Sequence, residues 1–215
     1  MKVFAVIFAL SIVFSCTNES KGNRHLVADS PVKEENRPEA DLFKMAAKGK
    51  DALKFCTSEK LNTDFCILID MSLHSGIKRF FVWDFKTKSI VKKYLVGHGC
   101  GSNQWSADGS KDNPQFSNED GSHLSSLGKY KLWGRGHSDW GINIKYLMHG
   151  LEETNTNALK RYIVFHSWDR MSDDEVFPKG SPEGWGCPTV SNNAMKEIDP
   201  IIQESGKPVL MWIYQ

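Results

Sequence analysis

Residues Arg161 to Ser191, RYIVFHSWDRMSDDEVFPKGSPEGWGCPTVS, restrict the fold more than any other stretch. They open as an apolar strand, Arg161 to Phe165, which delivers His166 at its end. A polar loop rich in Pro and Gly follows and closes on Gly184-Trp185-Gly186-Cys187-Pro188. A His and a Cys thus bracket one loop. Cysteine acyl chemistry uses that pair, because the thiolate is the nucleophile and a nearby imidazole raises the thiolate fraction. Gly186 permits a sharp turn and close approach of the backbone to a substrate. The amides of Gly186 and Cys187 can then face a developing oxyanion. Pro188 has no N–H and fixes φ directly after the nucleophile. The plainer reading is a buried Cys acting as a small hydrophobe and a polar His at a strand end. Against it, two glycines flanking a Trp, with a Pro after the Cys, do not make a core-like string.

Short apolar runs separated by turn residues set the fold class. Strands are expected at Phe65–Asp70, Lys78–Phe85, Ser89–Gly97, Leu127–Trp133, Gly141–Met148, Arg161–His166 and Pro208–Tyr214. The first three form an antiparallel meander. Aromatics on both faces of Lys78–Phe85 make that strand interior, and the last strand is expected to be central. Helical spacing appears over Ala40–Ser58, weakened at Gly49, and that helix is expected to pack on the domain's outside. A second helix is expected over Asn192–Gln203, with Ser191 as cap and Pro200 dividing or kinking it. Seven strands and few helices give a mostly β domain, either a sandwich or curled sheets. Asn103–Ser126 has no period, and a loop that long inside a domain is functional or disordered.

The leader is separate. Lys2, then the apolar run Val3–Phe14, then Ser15-Cys16 read as a secretion signal too short to span a bilayer comfortably. The small residue before Cys16 resembles a bacterial lipobox, with Cys16 lipidated and the chain held at a membrane. Thr17–Glu39 is poor in apolar residues and reads as a flexible tether. Residues 40–215 then form the folded domain. In an oxidising compartment Cys56 and Cys66, ten positions apart across a polar turn, are candidates for a disulfide. Cys100 is left as a buried thiol.

A net charge of +1, with no basic block, gives no reason to expect nucleic acid. Seven histidines invite a metal, but no His-Glu-x-x-His and no Cys-x-x-Cys is present, so neither metal nor cofactor is expected. His98, in the glycine-rich Gly97–Ser102, is the second candidate for a catalytic or substrate-binding imidazole. His149-Gly150 is a decoy, followed by Leu151-Glu152-Glu153 and not by the Cys-bearing loop. Most of the Trp residues suit core packing. Trp185, between two glycines, is the one expected to wall a pocket and stack on substrate.

Phe165-His166-Ser167 followed by Gly184-Trp185-Gly186-Cys187-Pro188 resembles the active-site signature of murein L,D-transpeptidase catalytic domains. Leu68-Ile69-Asp70-Met71-Ser72 and Phe116 to Gly128 resemble the same family, so the likeness runs from about Phe65 to Tyr214. Gly184 stands where the family usually has Ser, and Ser167 where it usually has Gly. The resemblance implies a β-sandwich with a groove over the nucleophile and a few peripheral helices. It implies that Cys187, with His166 as base, Ser167 to orient it and Gly186 in the oxyanion site, forms 3→3 crosslinks between peptidoglycan stem peptides. It also puts His123 and Ser126 beside the groove. Water in place of the acceptor amine would make an L,D-carboxypeptidase or endopeptidase. A decayed site would leave a murein-binding lipoprotein. A periplasm-facing, outer-membrane, monomeric lipoprotein is the expected setting.

Overall fold

A computed structural model describes residues 37–215. The leader, Cys16 and most of the tether lie outside the described residues. Helix α1 (Leu42–Ser58) comes first, capped by Asp41, whose side chain accepts from the amides of Phe43 and Lys44. Strands β1 (Phe65–Asp70), β2 (Phe80–Asp84) and β3 (Ser89–Tyr94) follow, then β4 (Gly128–His137) and β5 (Ile144–Gly150). The chain ends with β6 (Val164–Ser167), β7 (Thr189–Val190), helix α2 (Asn192–Glu204) and β8 (Val209–Tyr214).

All eight strands belong to one mixed sheet, in the order β3-β2-β1-β8-β4-β5-β6-β7. The first three strands are the expected antiparallel meander. β8 is central, parallel to β1 and antiparallel to β4. Where a two-sheet sandwich was one expectation, the sheet is continuous and curls. Phe80 on β2 stacks on Phe165 of β6 with ring centroids 5.6 Å apart, although four strands lie between them in the sheet order. The Gly97 amide, beyond β3, also reaches the Thr189 carbonyl of β7 at 2.8 Å.

Strand alternation sorts the side chains into two cores. Ile67 and Ile69, Phe80 and Val82, Leu132, Met148 and Met211 face the concave side, where α2 adds Met195, Ile198 and Ile202. α2 is therefore part of the inner core and not merely peripheral. Ser191 caps it, its hydroxyl accepting from the Ala194 amide at 3.0 Å, and the helix runs unbroken through Pro200. The opposite residues, Cys66, Leu68, Phe81, Trp83 and Leu210, pack under α1 on the outer face. Cys56 of α1 and Cys66 of β1 are both buried there as free thiols, which corrects the expected disulfide. The chain brings the two residues into one apolar layer, and burial pushes the Cys56 thiol up to about 12. Burial also raises Cys66 well above the ordinary range.

Gly49, which weakens α1 by propensity, sits where the helix crosses Trp83. A Cβ there would lie 2.5 Å from Trp83 Cε2, and Trp83 is itself buried. Gly49→Ala should therefore lower stability by about 1–3 kcal/mol, as overpacking does. Helix propensity alone predicts a gain of roughly 0.8–1 kcal/mol. Urea denaturation of the two proteins separates the signs.

Candidate active site

The site is built where β6 ends and β7 begins. These strands pair in parallel with His166 opposite Thr189, so the chain entering β7 carries Cys187 alongside β6. The Val164 amide donates to Cys187 Sγ at 3.4 Å, and the thiol points at the Tyr162 carbonyl, 3.8 Å away. Cys187, His166 and Thr189 line one pocket of about 110 Å³, walled by Trp105, Trp140, Trp168 and Trp185.

Geometry fixes the tautomer of His166. Its Nδ1 lies 2.9 Å from the Ser167 carbonyl, which can only accept, so Nδ1 carries the proton and Nε2 is the free base. The carbonyl of Ser167, not its hydroxyl, orients the ring. The hydroxyl instead accepts from the Ile142 amide at 3.1 Å and holds the β4–β5 connection. Burial holds the imidazole below its ordinary range; the Ser167 carbonyl opposes this and Lys145, its cross-strand partner, adds to it. Burial raises the Cys187 thiol, while the Val164 amide and then the charges of Arg161 and Lys145 pull it down. The resting pair is thus a neutral thiol and a neutral imidazole. Among the described residues Cys187 makes no hydrogen bond to His166; its thiol is turned toward the Tyr162 carbonyl.

The loop entering Cys187 is held rigidly. Gly186 has φ +101°, and a Cβ there would meet the Leu124 carbonyl at 2.6 Å. Its carbonyl accepts from Ser125 Oγ at 3.0 Å, and that hydroxyl accepts in turn from the Gly99 amide at 3.0 Å. Among the described residues the Gly186 and Cys187 amides donate to no protein group, which leaves them available to an oxyanion.

Two expected substrate contacts lie elsewhere. His98 is buried and does not face the pocket. Its Nδ1 accepts from Arg79 Nη2 at 2.8 Å, which places its proton on Nε2, 2.9 Å from Ser110 Oγ. Ser110 donates on to Glu183 Oε1 at 3.0 Å, and its amide reaches the same oxygen at 2.6 Å. The chain Arg79–His98–Ser110–Glu183 therefore ends on the residue preceding Gly184. Ser126 is buried too, its hydroxyl donating to the Ser117 carbonyl and accepting from Arg161 Nη1 at 2.7 Å. His123 does reach the site's rim, exposed and stacked on Trp185 with centroids 5.3 Å apart and planes 20° apart. His149 lines no part of the pocket.

Arg79, Ser110, Arg161, Glu183 and the pocket residues Trp105, Trp140 and Trp168 were not singled out from the sequence. Arg161 donates to the Ser117 and Leu124 carbonyls and to the Ser122 and Ser126 hydroxyls at 2.6–3.1 Å. It thereby ties the long loop to the start of the strand that carries His166. Glu183 is fully buried, and Trp140 turns into the pocket. Charged residues flanking strands or in loops are ordinarily solvated, so only the fold marks these.

The sequence profile of the L,D-transpeptidase catalytic domain matches residues 34–214, and the chain belongs to that family. The family acts on peptidoglycan stem peptides. No curated protein sequence matches the chain significantly. Solved structures similar to it include the helical cell shape determining protein Pgp2 from Campylobacter jejuni. A point mutant of Pgp2 shares 12% identity over 80% of this chain and 56% of its own, with TM-score 0.43. A second Pgp2 structure shares 14% over 76% and 55%, with TM-score 0.42. The Ldtfm–avibactam carbamoyl enzyme shares 11% over 71% and 49%, with TM-score 0.41. The chain spans about half the length of these proteins.

Two outcomes are expected. Arg161→Ala should speed amide exchange across residues 117–126 by about tenfold or more while leaving α2 unchanged, since a local clamp governs local opening. Alkylation of Cys187 by a neutral reagent should lose rate as pH falls, with the acid limb below the ordinary imidazole value of about 6.5, because burial lowers His166. A limb above that value would contradict the assignment of His166 as a desolvated neutral base.

Proposed function

We propose that the chain is a cysteine-dependent murein L,D-transpeptidase of the cell envelope. Cys187 attacks the carbonyl of the diaminopimelate residue in a tetrapeptide stem, and its proton passes to Nε2 of His166. The bond to the terminal D-Ala breaks, D-Ala leaves with that proton, and a thioester remains on Cys187. The amine of a second stem then displaces sulfur, forming a 3→3 crosslink and restoring the thiol. The amides of Gly186 and Cys187 hold the oxyanion in both halves.

The observation that carries this reading is the shared pocket. Cys187 and His166 line it together, with His166 Nε2 free because Nδ1 is bound to the Ser167 carbonyl. The departure at Gly184 costs little in this geometry, because a Cβ there would meet nothing within 4 Å and the residue acts through its backbone. Lipidation at Cys16 and a tether standing the domain off the membrane belong to the same proposal. So does a periplasm-facing location. Water as acceptor would give an L,D-carboxypeptidase or endopeptidase through the same thioester.

Incubating the purified protein with disaccharide-tetrapeptide and weighing protein and products tests this. An acyl adduct on Cys187, released D-Ala and crosslinked dimer are expected. Cys187→Ala should abolish all three, and His166→Ala should lower turnover by about 10²–10⁴-fold, the usual loss of a general base. Tripeptide without dimer would make the protein a carboxypeptidase. No adduct in the wild type would overturn the reading.

A further inference from the structure

The pocket around Cys187 has an unusual wall. Four indoles reach it from separate parts of the chain: Trp105 from the long loop after β3, Trp140 from the β4–β5 connection, Trp168 from directly after β6, and Trp185 from beside the nucleophile. They form one cluster. Trp105 lies 5.2 Å from Trp168, 6.2 Å from Trp140 and 6.4 Å from Trp185, centroid to centroid. Trp168 is buried and forms the floor, while Trp140 and Trp185 are the most exposed of the four, at 47% and 62%. The Arg170 guanidinium lies over Trp105 at 5.3 Å and is tied to Ser106 Oγ at 2.8 Å, so one indole already has a cation beside its face. Among the described residues no Asp, Glu, Lys or Arg lines the pocket.

That composition selects among the groups that can approach a thioester on Cys187. Aromatic faces are electron-rich and attract a cation but repel a carboxylate, which can bind only at the indole N–H edges. The departing D-Ala, an anion at its carboxyl end, meets no cationic side chain among the described residues lining this wall. A water needs two to four polar partners to be held. Beyond the catalytic pair, the wall offers it indole N–H groups and Thr189, whose hydroxyl is buried away from the pocket surface. About 110 Å³ accommodates a few loosely held waters or the end of an aminoalkyl chain. Such a chain has methylenes for the indole rings and an ammonium for their faces. Displacing poorly held water by that group is favourable.

We infer that Trp105, Trp140, Trp168 and Trp185 form the acceptor subsite, which takes a primary aminoalkyl group and thereby favours aminolysis of the thioester over hydrolysis. The inference rests on the transpeptidase reading. The acceptor arrives as an ammonium and loses one proton to solvent. Its nitrogen then bonds to the acyl carbon, the carbon–sulfur bond breaks, and the second amine proton passes through His166 to sulfur. Trp140 and Trp185 present the open faces. Trp105 and Trp168 hold them in place.

The test separates formation of the thioester from its fate. Wild type, Trp140→Ala, Trp185→Ala and Trp140→Phe are each given disaccharide-tetrapeptide. The acyl adduct is followed by intact mass, and the ratio of crosslinked dimer to tripeptide by product mass. The rate of acylation is measured in each protein, and the product ratio is read per adduct formed, so that a slower first step does not enter it. The dimer-to-tripeptide ratio should fall about tenfold in each Ala variant, within the range of one cation–π contact, and recover in Trp140→Phe, which restores an aromatic face. Adducts that form normally with the ratio unchanged in both Ala variants would overturn the acceptor subsite and leave the transpeptidase reading intact. A ratio lost equally in Trp140→Phe would also overturn it, since that loss would follow packing and not the aromatic face. Absence of the adduct in wild type would remove the underlying reading, and this inference with it.

Discussion

A guanidinium with no access to water sits at the joint of the molecule. Arg79 is fully buried, donates to the Leu73 carbonyl and twice to the Val96 carbonyl, and gives its remaining short contact to His98. Burial pushes it down to about 9, against the pull of Asp70 and Glu183, so it stays charged at neutral pH. A buried charge is tolerable only when its donors are filled and an opposite charge lies near. Asp70 and Glu183 are the countercharges, and Glu183 is reached through His98 and Ser110 and not by direct contact. His98 must therefore remain neutral, and burial and Arg79 both hold its pKa well below the ordinary range. Through this chain the turn after β1, the end of β3 and the start of the nucleophile loop become one unit. The Gly184 amide on the His98 carbonyl and the Cys100 amide on the Gly184 carbonyl, each at 2.8 Å, complete the joint.

The site above that joint rests in an uncharged state. Burial moves the Cys187 thiol up and the His166 imidazole down. A thiolate–imidazolium pair would be more reactive but also more exposed to oxidation. The Ser167 carbonyl holds Nδ1 of His166 and leaves Nε2 as the free base facing the shared pocket.

Local patterns in the sequence revealed most of the elements and little of how they meet. Seven of the eight strands, both helices and the Ser191 cap followed from period and turn chemistry, because those signals are local; the two-residue strand Thr189–Val190 did not. Curled sheets were one of the two arrangements left open, but which distant strands meet was not readable, since Phe80 against Phe165 is a contact that no period encodes. At the site, His166, Cys187 and Trp185 stood out because glycines and a proline around a Cys are costly unless backbone geometry is needed. His98 and Ser126 were misplaced for one reason: a polar residue in a glycine- or serine-rich loop reads as ligand-facing. Here both are consumed by buried charges, Arg79 and Arg161, whose partners become visible only once distant loops are packed together. Arg161 itself gave no signal, because an Arg beginning an apolar strand ordinarily points to water.

The position of β8 has a consequence for how the chain acquires this structure. It separates the meander β1–β3 from the site-bearing strands β4–β7, and it is the last of the eight to be synthesised. Until it docks, β1 and β4 each present a bare edge, and the two halves share no hydrogen-bonded ladder. High contact order of this kind slows folding and leaves sticky edges exposed meanwhile. The joint between the meander and the site-bearing strands therefore belongs to a late stage of folding. A chain stalled before β8 would carry His166 and Cys187 on β6 and the approach to β7 and still lack the strand that ties them to β1–β3.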